Sequence, residues 1–223
     1  MGGLPPRVVR RVVGEIGTNC YILASPDGST AIVVDPGDAG DRIAGELSAR
    51  KLRLRAVLLT HGHIDHVRGI PALLEAAGPA PVLLHADDRR LWDTMGLQAE
   101  FLGVPRPALQ ASTEEMRDGE VVNEAGWILD IMHTPGHSPG SVSLLLRGHA
   151  AVLSGDTVFR RGTGRTDLWG GSWNQLARSI QSRILTLPDN TTVLPGHGET
   201  TTVGEFRLWL EDVGLAEAAT EPW

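Results

Sequence analysis

The stretch LLTHGHIDHVRG, residues 58–69, sets three histidines and an aspartate within six positions. Imidazole nitrogens and carboxylate oxygens are the donors that zinc, iron and manganese accept, and burying them is costly unless they are paired or ligated. His61 and His63 lie two apart, so in a turn after a strand both rings can converge on one cation. Asp65 and His66 are adjacent, and either diverge from that pair or reach a second cation. Structural zinc sites are usually closed and rich in cysteine, whereas Cys20 is the sole cysteine and lies far from the cluster. Histidine and aspartate ligation leaves positions open for water, which is the catalytic pattern.

Four residues cannot fill two coordination spheres, so further donors are needed. Three stand at the ends of apolar strands: His137 in HTPGHSPGS, Asp156 in LSGDT and His197 in LPGHGE. Each is a ligand-type residue on a glycine-containing turn, where α/β folds collect their sites. His133, four residues before His137, is a candidate for outer support, while His85 and His149 read as structural or solvated. The segment GHSPG (136–140) formally fits a serine-nucleophile elbow, but Pro139 has no N–H to offer an oxyanion, and that reading fails. Cys20 falls in an expected strand, as a buried inert thiol.

The series HGHIDH, TPGHSPGS, SGDT and PGHG resembles the metallo-β-lactamase-fold hydrolase superfamily, and within it the glyoxalase II-like branch of thioester hydrolases. The resemblance runs from NCYIL and VDPG near the start to PGHGETTTVGE near the end. It implies a four-layer αββα sandwich of two mixed sheets flanked by helices. It also implies His61, His63 and His137 on a first metal, Asp65, His66 and His197 on a second, Asp156 bridging them, and Asp35 bracing the metal loop. The expected cofactors are two divalent ions, zinc foremost, with iron or manganese as alternatives. A hydroxide bridging the metals would then attack a small-molecule thioester, and Asp65 would orient it or take its proton. Two alternatives share the fold: a mononuclear iron persulfide dioxygenase, and a hydrolase of lactones or other esters. A third reading is a metal-binding or regulatory protein without turnover. His66 stands where the largest group of zinc β-lactamases carries Arg, which argues against antibiotic hydrolysis of that type. Full-length glyoxalase II enzymes carry a helical C-terminal region; only 26 residues follow His197, so that region is expected to be absent or vestigial and the thiol carrier stays open.

The loop FRRGTGRTDLWGGSW (159–173) follows Asp156 and matches family loops of the GRTD kind. Arg165 and Asp167 are expected to form a structural pair, the alternative being that Arg165 reaches an acidic substrate. Trp169 and Trp173 either line a pocket or pack at the surface.

The elements that must position these residues are legible in outline. Strands are expected at 7–13, 20–25 and 31–35, with turn chemistry in SPDGS between the last two. A helix over 39–51, a buried strand over 54–60 that feeds the histidine cluster, a helix over 67–77 and a strand over 81–85 follow. Residues 89–117 are irregular, either a plain helical cover or a flap beside the site. Strands return at 120–125, 127–133, 141–147, 150–156 and 191–196, with helices over 172–185, capped by Ser172, and 203–213. Strand–helix alternation argues for an α/β domain, expected to be a single one over 1–223. The formal charge of −7 gives no reason to expect nucleic acid or an anionic membrane as partner. No apolar stretch reaches the length of a membrane span, and a cytoplasmic location is the expectation. Oligomeric state stays open.

Overall fold

The computed structural model describes residues 4–109 and 113–214. Strands β1 (Val8–Val13), β2 (Thr18–Ala24) and β3 (Thr30–Val34) form an antiparallel meander. Its second turn is closed by Ser25 Oγ, which accepts from the N–H groups of Ser29 and Thr30. Helix α1 (Gly40–Ala49), strand β4 (Arg53–Leu58), helices α2 (Ile64–Val67) and α3 (Ile70–Ala77), and strand β5 (Val82–His85) come next. Helices α4 (Arg89–Asp93) and α5 (Met95–Leu102) lead to strand β6 (Thr113–Met116). The first sheet has the order β1-β2-β3-β4-β5-β6, parallel from β3 onward.

The second sheet begins with β7 (Val121–Glu124), β8 (Trp127–His133), β9 (Val142–Leu146) and β10 (Ala151–Gly155). A short hairpin, β11 (Val158–Phe159) and β12 (Gly162–Thr163), and helix α6 (Trp173–Ser179) intervene before β13 (Thr192–Pro195), β14 (Thr201–Thr202) and helix α7 (Val203–Asp212). Its order is β14-β13-β10-β9-β8-β7, with β10 and β13 parallel.

Three apolar layers account for the stacking. Tyr21, Leu23, Ile32, Val34 and Leu58 of the first sheet face Leu129, Ile131, Leu144, Leu153 and Leu194 of the second. The outer face of the first sheet, with Ile22, Val33 and Val57, packs on Ile43, Leu47, Ile70 and Leu73 of α1 and α3. The outer face of the second, with Val152 and Val193, packs on Leu176 of α6 and on Phe206 and Leu210 of α7. Central strands β3 and β10 are therefore apolar on both faces, as strands covered on both sides must be. Each fully buried aliphatic side chain contributes about 1.5–3 kcal/mol. The result is the expected αββα sandwich of two mixed sheets.

The differences from expectation lie at element ends and edges. The helix expected over 67–77 is two: α2 begins inside the histidine cluster, and the chain breaks at Gly69, whose N–H bonds Gly37 O. The helix expected over 172–185 is α-helical to Ser179 and continues as a π-helical turn over Ile180–Ile184; Ser172 caps it, accepting from Gln175 N–H. Strands β6, β11, β12 and β14 were not expected. Residues 110–112 of the irregular segment lie outside the described residues, as do 1–3 and 215–223.

Every loop that carries a candidate donor follows the C-terminal end of a strand: β4 for residues 61–66, β8 for His137, β10 for Asp156, β13 for His197. Strands β8, β10 and β13 point the same way, because β9 is antiparallel to its two neighbours and β13 is parallel to β10. The two sheets are tied at this end by Val142 N–H to Thr60 O (2.8 Å), Asn19 N–H to Gly196 O (2.7 Å) and Tyr21 O–H to Pro195 O (2.8 Å). Among the described residues, no helix is long and apolar enough to cross a membrane.

Candidate metal centre

The fold brings all seven expected donors to one place, in overlapping groups. His61, His63 and His137 offer ring nitrogens within 4.8 Å of one another, as do the donor atoms of Asp65, His66 and His197, and those of His61, His66 and Asp156. His63 Nδ1 stands 2.8 Å from His137 Nε2, which stands 3.2 Å from His61 Nε2. In the second group His197 Nε2 lies 3.3 Å from both His66 Nε2 and Asp65 Oδ2. Asp156 Oδ2 lies between the groups, 3.6 Å from His137 Nε2 and 3.4 Å from His197 Nε2. Asp65 and His66 both reach the second group because they occupy the first turn of α2, which projects successive side chains about 100° apart.

Hydrogen bonds behind the rings decide which nitrogens carry lone pairs. His137 Nδ1–H donates to the carbonyl of Arg165 (2.8 Å), which can only accept. Thr60 O–H is committed to Asp35 Oδ2 (2.7 Å), so Thr60 Oγ1 accepts from His61 Nδ1–H (3.1 Å). In the neutral tautomers that these bonds select, the two Nε2 atoms present lone pairs to each other at 3.2 Å. Two lone pairs in that position repel, and a cation between them turns the repulsion into ligation. Zinc–nitrogen bonds of about 2.0–2.1 Å span such a separation comfortably. Asp156 Oδ1 is buried and makes no hydrogen bond among the described residues, a costly state for a carboxylate oxygen that a nearby positive charge offsets. Gly196 makes room for it: a Cβ there would collide with Asp156 Oδ1. The donor set fits divalent cations.

The charges differ across the centre. Burial pushes the His63 pKa down to about 3, and the neighbouring His137 ring adds to this; His61 is lowered by burial and then by His66 and His137. Burial acts on His66 as well, but Asp65, Asp35 and Asp156 outweigh it and lift the pKa to about 9. His197 rises to about 10 against burial, through its bonds to Asp156 and Asp65. Burial raises Asp65, yet His66 and His197 together hold its carboxyl well below the usual range.

Asp35 stands where the VDPG motif put it, with φ of 50°, accepting from Thr60 N–H (2.8 Å) and Thr60 O–H, and from His66 Nδ1 (3.0 Å). His133 acts at one remove: its Nε2–H donates to Pro139 O (2.8 Å) in the loop that carries His137, and its ring stacks on His85. Arg165 and Asp167 form the expected pair, a two-bond contact at 2.7 and 2.8 Å on the surface. A cleft of about 500 Å³ opens over the donors, lined by Ile16, Leu102, Phe159, Leu168 and Trp169. Trp169 thus borders the site, 5.9 Å from the His63 ring. Trp173 does not: it starts α6, 42 % exposed and outside the cleft lining, because the glycine turn at 170–171 separates the two indoles.

Several residues of the site were missed in the sequence. Asp88 and Gln98 hold the metal loop from behind, and Ile16 and Leu102 wall the cleft. The segment 89–117 therefore has two tasks, since α5 carries Gln98 beneath the loop and Leu102 beside the cleft. Asp88 follows the apolar strand VLLH as Asp156 follows AVLSG, so the strand-end rule contained its signal.

Known proteins share this architecture. A family model described as the metallo-beta-lactamase superfamily matches residues 13–197. The chain is 38% identical over 196 residues to the probable metallo-hydrolase YqgX of Bacillus subtilis, covering 87% of this chain and 91% of that one. It is 31% identical over 188 residues to hydroxyacylglutathione hydrolase GloC of Haemophilus influenzae, covering 84% and 88%. Among solved structures, BLEG-1 B3 metallo-beta-lactamase superposes with a TM-score of 0.83 at 33% identity, over 90% of this chain and 96% of that one. TTHA1623, in a di-iron-bound form, gives 0.79 at 34% identity, over 96% and 99%. The chain belongs to the metallo-beta-lactamase superfamily, as one of its metallo-hydrolases.

Proposed function

We propose that the protein is a thioester hydrolase that uses two divalent ions, zinc foremost, held by His61, His63 and His137 on one side and Asp65, His66 and His197 on the other, with Asp156 shared. When bound, such ions polarise a carbonyl and acidify water. The chain's own residues do the rest. Asp65, steadied by Thr18 O–H (3.1 Å), orients the water and accepts its proton. The apolar wall of Ile16, Leu102, Leu168 and Trp169 packs the substrate and thins the water around the reacting carbonyl.

The observation that carries this reading is the lack of a spare acid. Among the described residues lining the cleft, the titratable groups are His63, Asp65, His137, Asp156, His197 and Arg165. The first five are donors to the ions, and Arg165 is a guanidinium bound to Asp167. Apart from Asp65, which can only return the proton it takes from the water, no group of the cleft is free to protonate a leaving group, and this favours one that can depart as an anion. A thiol of pKa about 8.5 does so readily at neutral pH, whereas an alkoxide or amide anion does not. The similarity to a hydroxyacylglutathione hydrolase supports the same choice.

The test is metal quantification on protein purified without chelators, followed by rates for S-lactoylglutathione, S-acetyl-N-acetylcysteamine, their oxygen-ester analogues and the β-lactam nitrocefin. Thioesters should exceed the matched oxygen esters in kcat/KM by about 10²-fold or more, the scale of a missing general acid. Faster turnover of the esters or of nitrocefin would overturn the proposal. One bound iron with persulfide-dependent oxygen uptake would replace it with persulfide dioxygenation.

A further inference from the structure

The carboxylate of Asp88 is fully buried, is absent from the cleft lining and, among the described residues, hydrogen-bonds none of the seven donors. It lies at the end of the single 3-10 turn Ala86–Asp88 that follows β5. Oδ2 accepts from Gly62 N–H (2.8 Å) and from Ser138 O–H (2.7 Å), and Oδ1 accepts from Gly140 N–H (2.6 Å). Gly62 stands between His61 and His63, and Ser138 directly follows His137. One buried anion therefore pins both loops that supply the first group. Those loops come from different sheets, β4 and β8, and Asp88 adds its bonds to the main-chain tie from Val142 N–H to Thr60 O. The contact is close enough to demand glycine: a Cβ on Gly140 would stand 2.6 Å from Asp88 N. Gln98 completes the clamp, accepting from Ile64 N–H (3.0 Å) and donating to Gly62 O (3.1 Å).

We propose that Asp88 is a positioning residue that sets the affinity of the His61–His63–His137 site, acting through Gly62, Ser138 and Gly140 rather than on the ion or the substrate. The inference needs a divalent cation at that site and is independent of what the protein hydrolyses. All three partners are donors, so the position calls for an acceptor on both oxygens. An Asn has one, and in either orientation of the amide an N–H is turned against a donor. Loss of such support behind metal ligands costs about 10–100-fold in metal affinity. A general structural role would instead weaken both sites alike.

Full-length protein is stripped of metal and titrated with Zn²⁺ against a competing chelator in two backgrounds. His197→Ala leaves the first site as the stronger one, and His137→Ala leaves the second. Asp88→Asn should weaken Zn²⁺ binding about 10–100-fold in the first background, and by less than about threefold, the ordinary spread of such contributions, in the second. Equal loss in both backgrounds, or none in the first, overturns the proposal. Should Asp88→Asn fail to fold, Ser138→Ala removes one of the three bonds and should give a smaller loss confined to the first background; an unselective loss, or none, is again decisive against it. If the parent chain takes up no Zn²⁺, the metal centre and this role of Asp88 fall together.

Discussion

The two donor groups of the centre are built on opposite electrostatic plans. His61, His63 and His137 form a group of closely packed rings, with the Nδ1–H of His61 and His137 on a hydroxyl and a carbonyl, and with their supporting carboxylate, Asp88, bonded only to main chain and Ser138. His66 and His197 are instead wrapped by carboxylates, Asp35, Asp65 and Asp156, in direct contact. The first plan keeps lone pairs free at neutral pH, since burial depresses the pKa values of His61 and His63. The second fills its lone pairs with protons, the pKa values standing at about 9 and 10. One site is arranged to receive a cation outright, and the other must exchange protons for it.

The severest way to break this contrast is to remove a ring from the first group. His63→Ala should lower kcat/KM for thioesters by about 10³-fold or more, as loss of a principal electrostatic stabiliser does. Metal analysis of the same sample should show a weakened first site, and parental activity would exclude metal-dependent hydrolysis. Asp65→Asn probes the second group with a smaller step. It removes both the proton acceptor and a charged donor to the second ion while keeping the shape, so kcat should fall about 10²-fold or more with little change in KM. A loss carried by KM would assign Asp65 to substrate binding instead.

Protons give a quantitative form of the same contrast. Both His66 and His197 have raised pKa values in metal-stripped protein, so loading the second site at about pH 7.5 should release protons. The release should persist in His137→Ala, where the second group is intact, and should fade above pH 10. Calorimetry in buffers of different ionisation enthalpy measures it. The sign for stability follows from the same shifts. Both folded-state values lie above the usual histidine value of about 6.5, so their contribution to the metal-stripped fold is complete below that pH and is lost as pH rises through 9 to 10. A metal-stripped protein whose thermal stability rose over that interval would contradict the arrangement.

What could be read from the sequence divides along the same line between atoms that face the centre and atoms that stand behind it. HGHIDH is legible because its chemistry is local, and His137, Asp156 and His197 because a lone donor at the end of an apolar strand is conspicuous. Asp88 obeyed that rule too, yet it follows Asp87 in a polar turn and looks like a solvated pair. Gln98 and Leu102 lie in a helix with no apolar stripe to announce it, since α5 turns Gln98 inward and leaves Leu97 and Phe101 exposed. Trp169 and Trp173 are equivalent in sequence, and only the chain's turn at Gly170 decides which one meets the cleft. The α/β class was legible from strand–helix alternation and the four layers only through the family resemblance, while β11, β12 and β14, at two residues each, are too short to show a period.

The smallest expected effect concerns Arg165, where main chain and side chain have separate duties. Its carbonyl fixes the tautomer of His137, and any residue at 165 supplies that carbonyl. Its guanidinium is spent on Asp167 at the surface, a kind of pair that contributes little to stability in water. Arg165→Ala should therefore leave Tm within about 2 °C and metal affinity unchanged. KM discriminates between the two uses of the side chain. If the guanidinium only pairs with Asp167, KM for S-lactoylglutathione, which carries two carboxylates, should move by less than about threefold, and no differently from KM for the uncharged S-acetyl-N-acetylcysteamine. A rise of tenfold or more for the anionic thioester alone would mean that Arg165 leaves Asp167 to bind substrate, and the apolar wall of Ile16, Leu102, Leu168 and Trp169 would then have a charged end.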